Sequence, residues 1–200
     1  MYKKFFKRLL DIILSLLALL VLSPVLLACI IIIKCENNGP VFFMQERIGI
    51  HKRPFKIYKF RSMKMNAPHD VPTHLLKNPE PYMMRCGRRM RRYSIDELPQ
   101  IINIIRGDMS IVGPRPALWN QFDLIAERDK YGANDIRPGL TGWAQINGRD
   151  ELEIAEKARF DGEYVKRESF AFDVMCVWRT VFKVAAHEGV VEGGTGNTRS

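Results

Sequence analysis

From Ile12 to Ile33 the chain carries no charge, and only Ser15, Ser23 and Pro24 interrupt a run of leucine, isoleucine, valine, alanine and cysteine. A helix built on this run is apolar on every face, so it is surrounded either by protein core or by lipid. The run is long enough to cross a bilayer core, which takes about 20 residues. Pro24, however, lacks the N–H of a helical residue and its ring clashes one turn back, so a break is predicted at Ser23–Pro24. Each half is then roughly 16 Å long and reaches only to mid-bilayer. The Ser23 hydroxyl is placed to serve a carbonyl that Pro24 leaves without a donor.

Past residue 34 the pattern changes. Val41 to Arg47 and Phe55 to Met63 read as strands separated by Gly49 and Pro54, which predicts a β-hairpin. In the second strand a period of two places Lys59 and Arg61 on one face with Phe55 and Ile57. Helices are predicted from Glu97 to Arg106, closed by Gly107, from Trp119 to Lys130, and from Glu151 to Lys166. Phe170 to His187 has apolar residues at 174, 177, 178, 181, 182 and 185, an amphipathic helix facing core or lipid. The proline-rich segment 66–81 reads as a loop and the glycine-rich segment 137–149 as turn-forming.

Charge decides how the apolar run sits. The net charge is +9, from 31 Lys and Arg against 22 Asp and Glu. Lys3, Lys4, Lys7 and Arg8 precede the run, and Lys34, Arg47, Lys52, Arg53, Lys56 and Lys59 follow it. Basic flanks favour the cytoplasmic side, so a hairpin that enters and leaves the same leaflet satisfies both, whereas a kinked full span leaves one outside. A cleaved signal peptide has a shorter apolar core, and a buried core helix needs a large domain around it. The predicted architecture is α+β and mainly helical. Residues 1–35 form a re-entrant membrane helix-break-helix. Residues 36–188 form a small cytosolic α/β domain with a β-hairpin and interfacial amphipathic helices, and 189–200 a flexible tail. Cys29, Cys35, Cys86 and Cys176 show no metal-binding spacing and read as reduced, without disulfides or zinc.

Candidate chemistry centres on SIDELPQ, residues 94–100, directly after the five arginines of Arg85 to Arg92. Ser94 and Glu97 fit a capping box; if Asp96 is the N-cap instead, Pro99 falls where its missing N–H costs nothing. Either way Asp96 and Glu97 lie at a positive helix terminus beside cations, where a carboxylate stays ionised and phosphates are attracted. In GDMSIVGPRP, Arg115 stands between Pro114 and Pro116, so its backbone is restricted on both sides. A rigid guanidinium suits bidentate phosphate contact. RPGLTGWAQINGR brings Arg137 and Arg149 together with three glycines and Trp143, a residue suited to stacking on a base or anchoring at an interface. Neither a P-loop nor a dinucleotide-binding glycine motif is present.

Taken together, KFRSM (59–63), SIDELPQ, GDMSIVGPRP and RPGLTGWAQINGR, behind an apolar N-terminus with Ser-Pro at 23–24, resemble the small monotopic phosphoglycosyl transferases of bacteria. The resemblance implies a re-entrant membrane helix broken at Ser23 and Pro24, with the catalytic domain on the cytoplasmic face of the inner membrane. It implies transfer of a sugar 1-phosphate from a UDP-sugar to undecaprenyl phosphate with release of UMP, the first membrane step of capsule, O-antigen or glycoprotein glycan assembly. The 116–132 stretch looks like the capsule branch, which tends to use amino or deoxyamino sugars. By the same resemblance Asp96 is the nucleophile that forms a covalent phosphosugar intermediate, and Glu97 supports it through metal ligation or proton handling. Mg²⁺ is the implied cofactor, held by Asp96 and Glu97. Lys59, Arg61, Arg88, Arg115, Arg137 and Arg149 are the candidate substrate-binding residues. Membrane lipid and downstream glycosyltransferases are the further partners implied, and nucleic acid is not one. The alternative is a basic membrane-anchored adaptor that binds anionic lipid or RNA through Arg85 to Arg92. Such a binder has no use for an Asp-Glu pair beside a Pro-Arg-Pro turn.

Overall fold

The computed structural model describes residues 2–68, 76, 78–148 and 151–186. Arg149, half of the 66–81 loop (69–75 and 77) and the 189–200 tail therefore lie outside the described residues.

The apolar run lies in one long helix, α1 (Lys7–Glu36), which passes through Pro24. The predicted break is a missing hydrogen bond inside this helix and not a gap in it. Leu20, whose carbonyl would accept from the N–H that Pro24 lacks, accepts instead from the Ser23 hydroxyl at 2.8 Å. The middle of α1 is bare: Leu16, Leu17, Leu20, Val21 and Leu27 are all at least half exposed.

Both ends of α1 are bound to the same globular body. At the start, Lys7 Nζ lies 2.6 Å from the Asp173 carboxylate, and Arg8 donates to the Ile104 and Ile105 carbonyls at 2.5 and 2.9 Å. Asp11 accepts the Ile111 N–H at 3.0 Å. At the far end, Cys29 and Ile33 are buried with Val41, Phe60, Met84 and Met90. Lys7 and Arg8 are thus docking groups as well as topological charges.

The predicted β-hairpin is present: β1 (Phe42–Ile48) and β2 (Pro54–Phe60) pair antiparallel, with Phe43 opposite Lys59 and Arg47 opposite Phe55. The arginine cluster forms α2 (Arg85–Arg92), whose first N–H groups are accepted by the Glu36 carboxylate at 2.5 and 2.8 Å. Gly87 lets α2 lie on the end of the hairpin, since a Cβ there would stand 1.9 Å from the Ser62 carbonyl oxygen.

A 3-10 turn (Ile95–Glu97) leads into α3 (Gln100–Arg106), which Gly107 closes with a left-handed φ of 97°. Neither predicted cap forms. Ser94 is itself left-handed and makes no capping bond, and the N-cap of α3 is Pro99, whose side chain has no acceptor to offer.

The glycine-rich segment departs from expectation in the same way. Instead of a turn it forms β4 (Gly139–Thr141), parallel to β3 (Ser110–Val112), followed by α5 (Trp143–Ile146). Three-residue strands carry no periodicity, and this pairing joins segments distant in sequence. Between β3 and β4 runs α4 (Phe122–Asp129); α6 (Ile154–Arg167) and α7 (Phe170–Ala185) complete the chain. Val112 of β3, Ile146 of α5, Tyr164 of α6 and Phe172 and Cys176 of α7 form a common core, while Phe170, Val174, Trp178, Val181 and Phe182 on α7 stay exposed. Trp143 is used inside this packing. Its Nε1 donates to Glu163 at 2.9 Å, and its ring lies 5.0 Å from Phe172, with Arg167 and Arg179 over it.

Candidate active site

The turn between α2 and α3 carries two adjacent carboxylates, and both are buried, Asp96 at 5% and Glu97 at 7% exposure. A buried carboxylate is costly unless charge and hydrogen bonds compensate it. For Glu97 they do. Lys59 Nζ lies 2.8 Å from Oε1, and Arg115 meets the carboxylate as a fork, 2.7 Å to Oε1 and 3.3 Å to Oε2.

Asp96 stands in the wall of a pocket at the end of the hairpin, together with Arg47, Lys59, Arg61, Lys64 and Arg91. Among the described residues that line it, every charged side chain except Asp96 is a cation. Each comes from a different local cause. Lys59 and Arg61 are two apart at the end of β2, as the strand period predicts. Arg47 comes from β1 and Arg91 from the last turn of α2. Arg61 is held by its own Nε, which donates to the Pro40 carbonyl at 2.8 Å. Burial pulls the Lys59 ammonium below the usual lysine range; Glu97 counters this, Arg115 adds to it, and Asp96 and Arg47 oppose one another more weakly.

Arg115 reaches Glu97 from the Pro-Arg-Pro turn after β3. The turn is seated on the β4 segment so closely that only glycine fits: a Cβ on Gly139 would lie 2.1 Å from the Gly113 nitrogen. Gly139 N–H donates to the Pro114 carbonyl at 2.8 Å.

The other predicted cations are elsewhere. Arg88 pairs with Glu80 on the surface, while Arg91, one turn further along α2, lines the pocket. Arg137 donates from Nε to the Gly107 carbonyl at 3.0 Å. With Arg8 it serves the carbonyl end of α3, where cations are favoured, in a second cavity lined also by Lys3, Lys7, Asp11 and Glu168. Arg149 is outside the described residues. The sequence reading missed Arg47, Lys64 and Arg91 as pocket residues, although Arg47 and Lys59 belong to paired strands of a predicted hairpin, which was a usable signal.

Among the described residues no three His, Cys, Asp or Glu side chains cluster as a metal site. Magnesium is commonly held by one or two carboxylates, waters and substrate phosphates. Asp96 in the pocket wall fits that donor set. Glu97 fits it less well, because both of its oxygens already accept from cations. A pocket of cations with one carboxylate suits a multiply charged phosphate ester, with the carboxylate able to face phosphorus.

The family described as bacterial sugar transferase matches residues 2–187. The sugar transferase EpsL of Bacillus subtilis is 40% identical over 184 residues, covering 92% of this chain and 89% of its own length. A UDP-glucose:undecaprenyl-phosphate glucose-1-phosphate transferase of Escherichia coli is 43% identical over 190 residues, covering 88% of this chain and 39% of its own. A UDP-N-acetylgalactosamine-undecaprenyl-phosphate N-acetylgalactosaminephosphotransferase of Aeromonas hydrophila is 38% identical over 183 residues, again 88% of this chain and 43% of the relative. The chain thus spans most of the Bacillus protein and about two-fifths of the other two.

Proposed function

This chain belongs to the bacterial sugar transferase family, and on that premise we propose that it transfers a sugar 1-phosphate from a UDP-sugar to undecaprenyl phosphate. The observation that carries the reading is the placement of Asp96 in a wall of cations. Arg47, Lys59, Arg61, Lys64 and Arg91 neutralise a diphosphate, and phosphoryl transfer depends mainly on such positioning and neutralisation. A carboxylate oxygen of Asp96 attacks the sugar-bearing phosphorus. The bond from that phosphorus to the bridging oxygen breaks, and the electron pair leaves with UMP. The resulting acyl-phosphate is then attacked by an oxygen of undecaprenyl phosphate, which restores Asp96.

Asp96, together with the diphosphate, would hold Mg²⁺, which would supply charge neutralisation. In this reading Glu97 is chiefly the anchor of Lys59 and Arg115, keeping two cations aimed at the donor phosphates. A domain on the cytoplasmic face of the inner membrane is the natural site, because basic residues flank both ends of the apolar run and favour that side. The first and last turns of α1 are bound to one body. With that body on one side of the bilayer, both ends of α1 are on that side, which supports a re-entrant α1 with its bare middle in lipid. The exposed apolar face of α7 is suited to rest on the same surface.

Purified protein given undecaprenyl phosphate and a panel containing UDP-glucose, UDP-N-acetylglucosamine and UDP-N-acetylgalactosamine, amino and neutral sugars alike, tests this. Release of UMP with one donor preferred supports the reading, and no UMP from any UDP-sugar rejects it.

A further inference from the structure

Proline at 114 and 116 removes two backbone donors from the turn that carries Arg115, so the turn can be tied down chiefly through its carbonyls. All three consecutive carbonyls are taken: Pro114 by Gly139 N–H at 2.8 Å, Arg115 by Arg128 Nη1 at 3.0 Å and Pro116 by Arg47 Nη1 at 3.0 Å. Arg128 is the unusual member. It is 4% exposed and does not line the pocket, yet it carries a full charge. Asp161 on α6, 1% exposed, matches that charge, with contacts of 2.8 Å to Nε and 2.6 Å to Nη2.

A buried ion pair is weak support for stability, because desolvation offsets most of its attraction. This one leaves its third guanidinium nitrogen to the Arg115 carbonyl. A planar fork can satisfy Asp161 with two nitrogens while aiming the third in a fixed direction, which an ammonium cannot do.

We propose that Arg128, oriented by Asp161, is a positioning residue for the transfer reaction, acting only through Arg115. It holds the Arg115 backbone so that the guanidinium stays on Glu97 and within reach of the donor phosphates. The inference rests on the proposed sugar-phosphate transfer. It adds that the reach of the site extends to an ion pair between α4 and α6.

A double-mutant cycle on the full chain decides it, with Arg128→Lys, Arg115→Lys and the pair together, read as kcat and KM for UMP release from the donor that wild-type protein uses. Arg128→Lys is expected to lower kcat/KM roughly tenfold or more, as the loss of a hydrogen bond from a charged group implies. In the Arg115→Lys background the same change should cost less than about twofold, because the guanidinium that the contact positions is already gone. Equal factors in the two backgrounds would overturn the proposal and leave Arg128 a purely structural residue. If Arg128→Lys does not fold, Asp161→Asn, which keeps an acceptor for Nε, runs the same cycle with a smaller factor. Hydrogen exchange over residues 113–118 separates this inference from the function it rests on. Faster exchange in the Arg128 variant supports positioning even if wild-type protein releases no UMP, and unchanged exchange contradicts it whatever the activity.

Discussion

The guanidinium of Arg115 lies fork to fork against the Glu97 carboxylate, 2.7 and 3.3 Å across the two pairs, while Lys59 shares Oε1 from another side at 2.8 Å. One buried anion thus aligns two cations that come from separate parts of the chain. The geometry depends on the planar fork, since a point charge could satisfy Glu97 without fixing a direction.

Arg115→Lys should therefore lower turnover by roughly ten- to a hundredfold, the scale of a lost charged hydrogen bond. Arg92→Lys, at an exposed position on α2, should change it less than about twofold. Steady-state UMP release by the two variants checks this. Equal losses would place Arg115 in a structural role.

Lys59 gives a pH signature. Burial lowers its pKa from the ordinary lysine value of 10.5, so as pH rises the ammonium is lost earlier than from an exposed lysine. kcat/KM should fall on an alkaline limb below that value, because the deprotonated amine no longer binds phosphate or pairs with Glu97. Lys59→Arg, which does not titrate in this range, should move the limb upward. A limb in the same place in both proteins would assign it to another group.

Much of this was legible in the sequence, and the reasons are local. Ser23 and Leu20 follow from helix arithmetic, because a proline at 24 must leave the carbonyl at 20 without its donor. The hairpin follows from alternation bounded by turn residues, and Lys59 and Arg61 from the strand period. The SIDELPQ and Pro-Arg-Pro motifs marked the residues that meet at Glu97. What was not legible is the tertiary assembly. The pocket borrows Arg91 from α2, and nothing local gives the direction of a long side chain. Arg137 is drawn to the carbonyl end of α3 by an electrostatic demand that only the folded helix creates. Lys7 finds Asp173 near the other end of the chain, and β4 has three residues and a long-range partner.

The docking of both ends of α1 leads to a labelling experiment. With Cys29, Cys86 and Cys176 replaced, Phe5→Cys and the exposed native Cys35 report the two ends separately. A membrane-impermeant maleimide added to intact cells should label neither, and both should react after the membrane is opened. Labelling of either one from outside would contradict the re-entrant helix. Ser23→Ala, which removes the hydroxyl from the Leu20 carbonyl, should cost about 1 kcal/mol in lipid, read as a lower unfolding temperature in nanodiscs.

The proposed transfer turns on the carboxylate of Asp96. If it is the nucleophile, enzyme mixed with UDP-sugar and no undecaprenyl phosphate should release UMP in a burst equal to the number of active sites and then stop. Asp96→Asn is nearly isosteric and should keep the fold, as its thermal unfolding would record. Glu97→Gln should lose most of the burst rate, because Lys59 and Arg115 lose the charge that aligns them. Rapid-quench measurement of UMP from the wild-type and Asp96→Asn proteins is the most direct test. The predicted result is a stoichiometric burst from the first and none from the second. A burst of wild-type size from folded Asp96→Asn enzyme would contradict the covalent mechanism and remove Asp96 from the reaction.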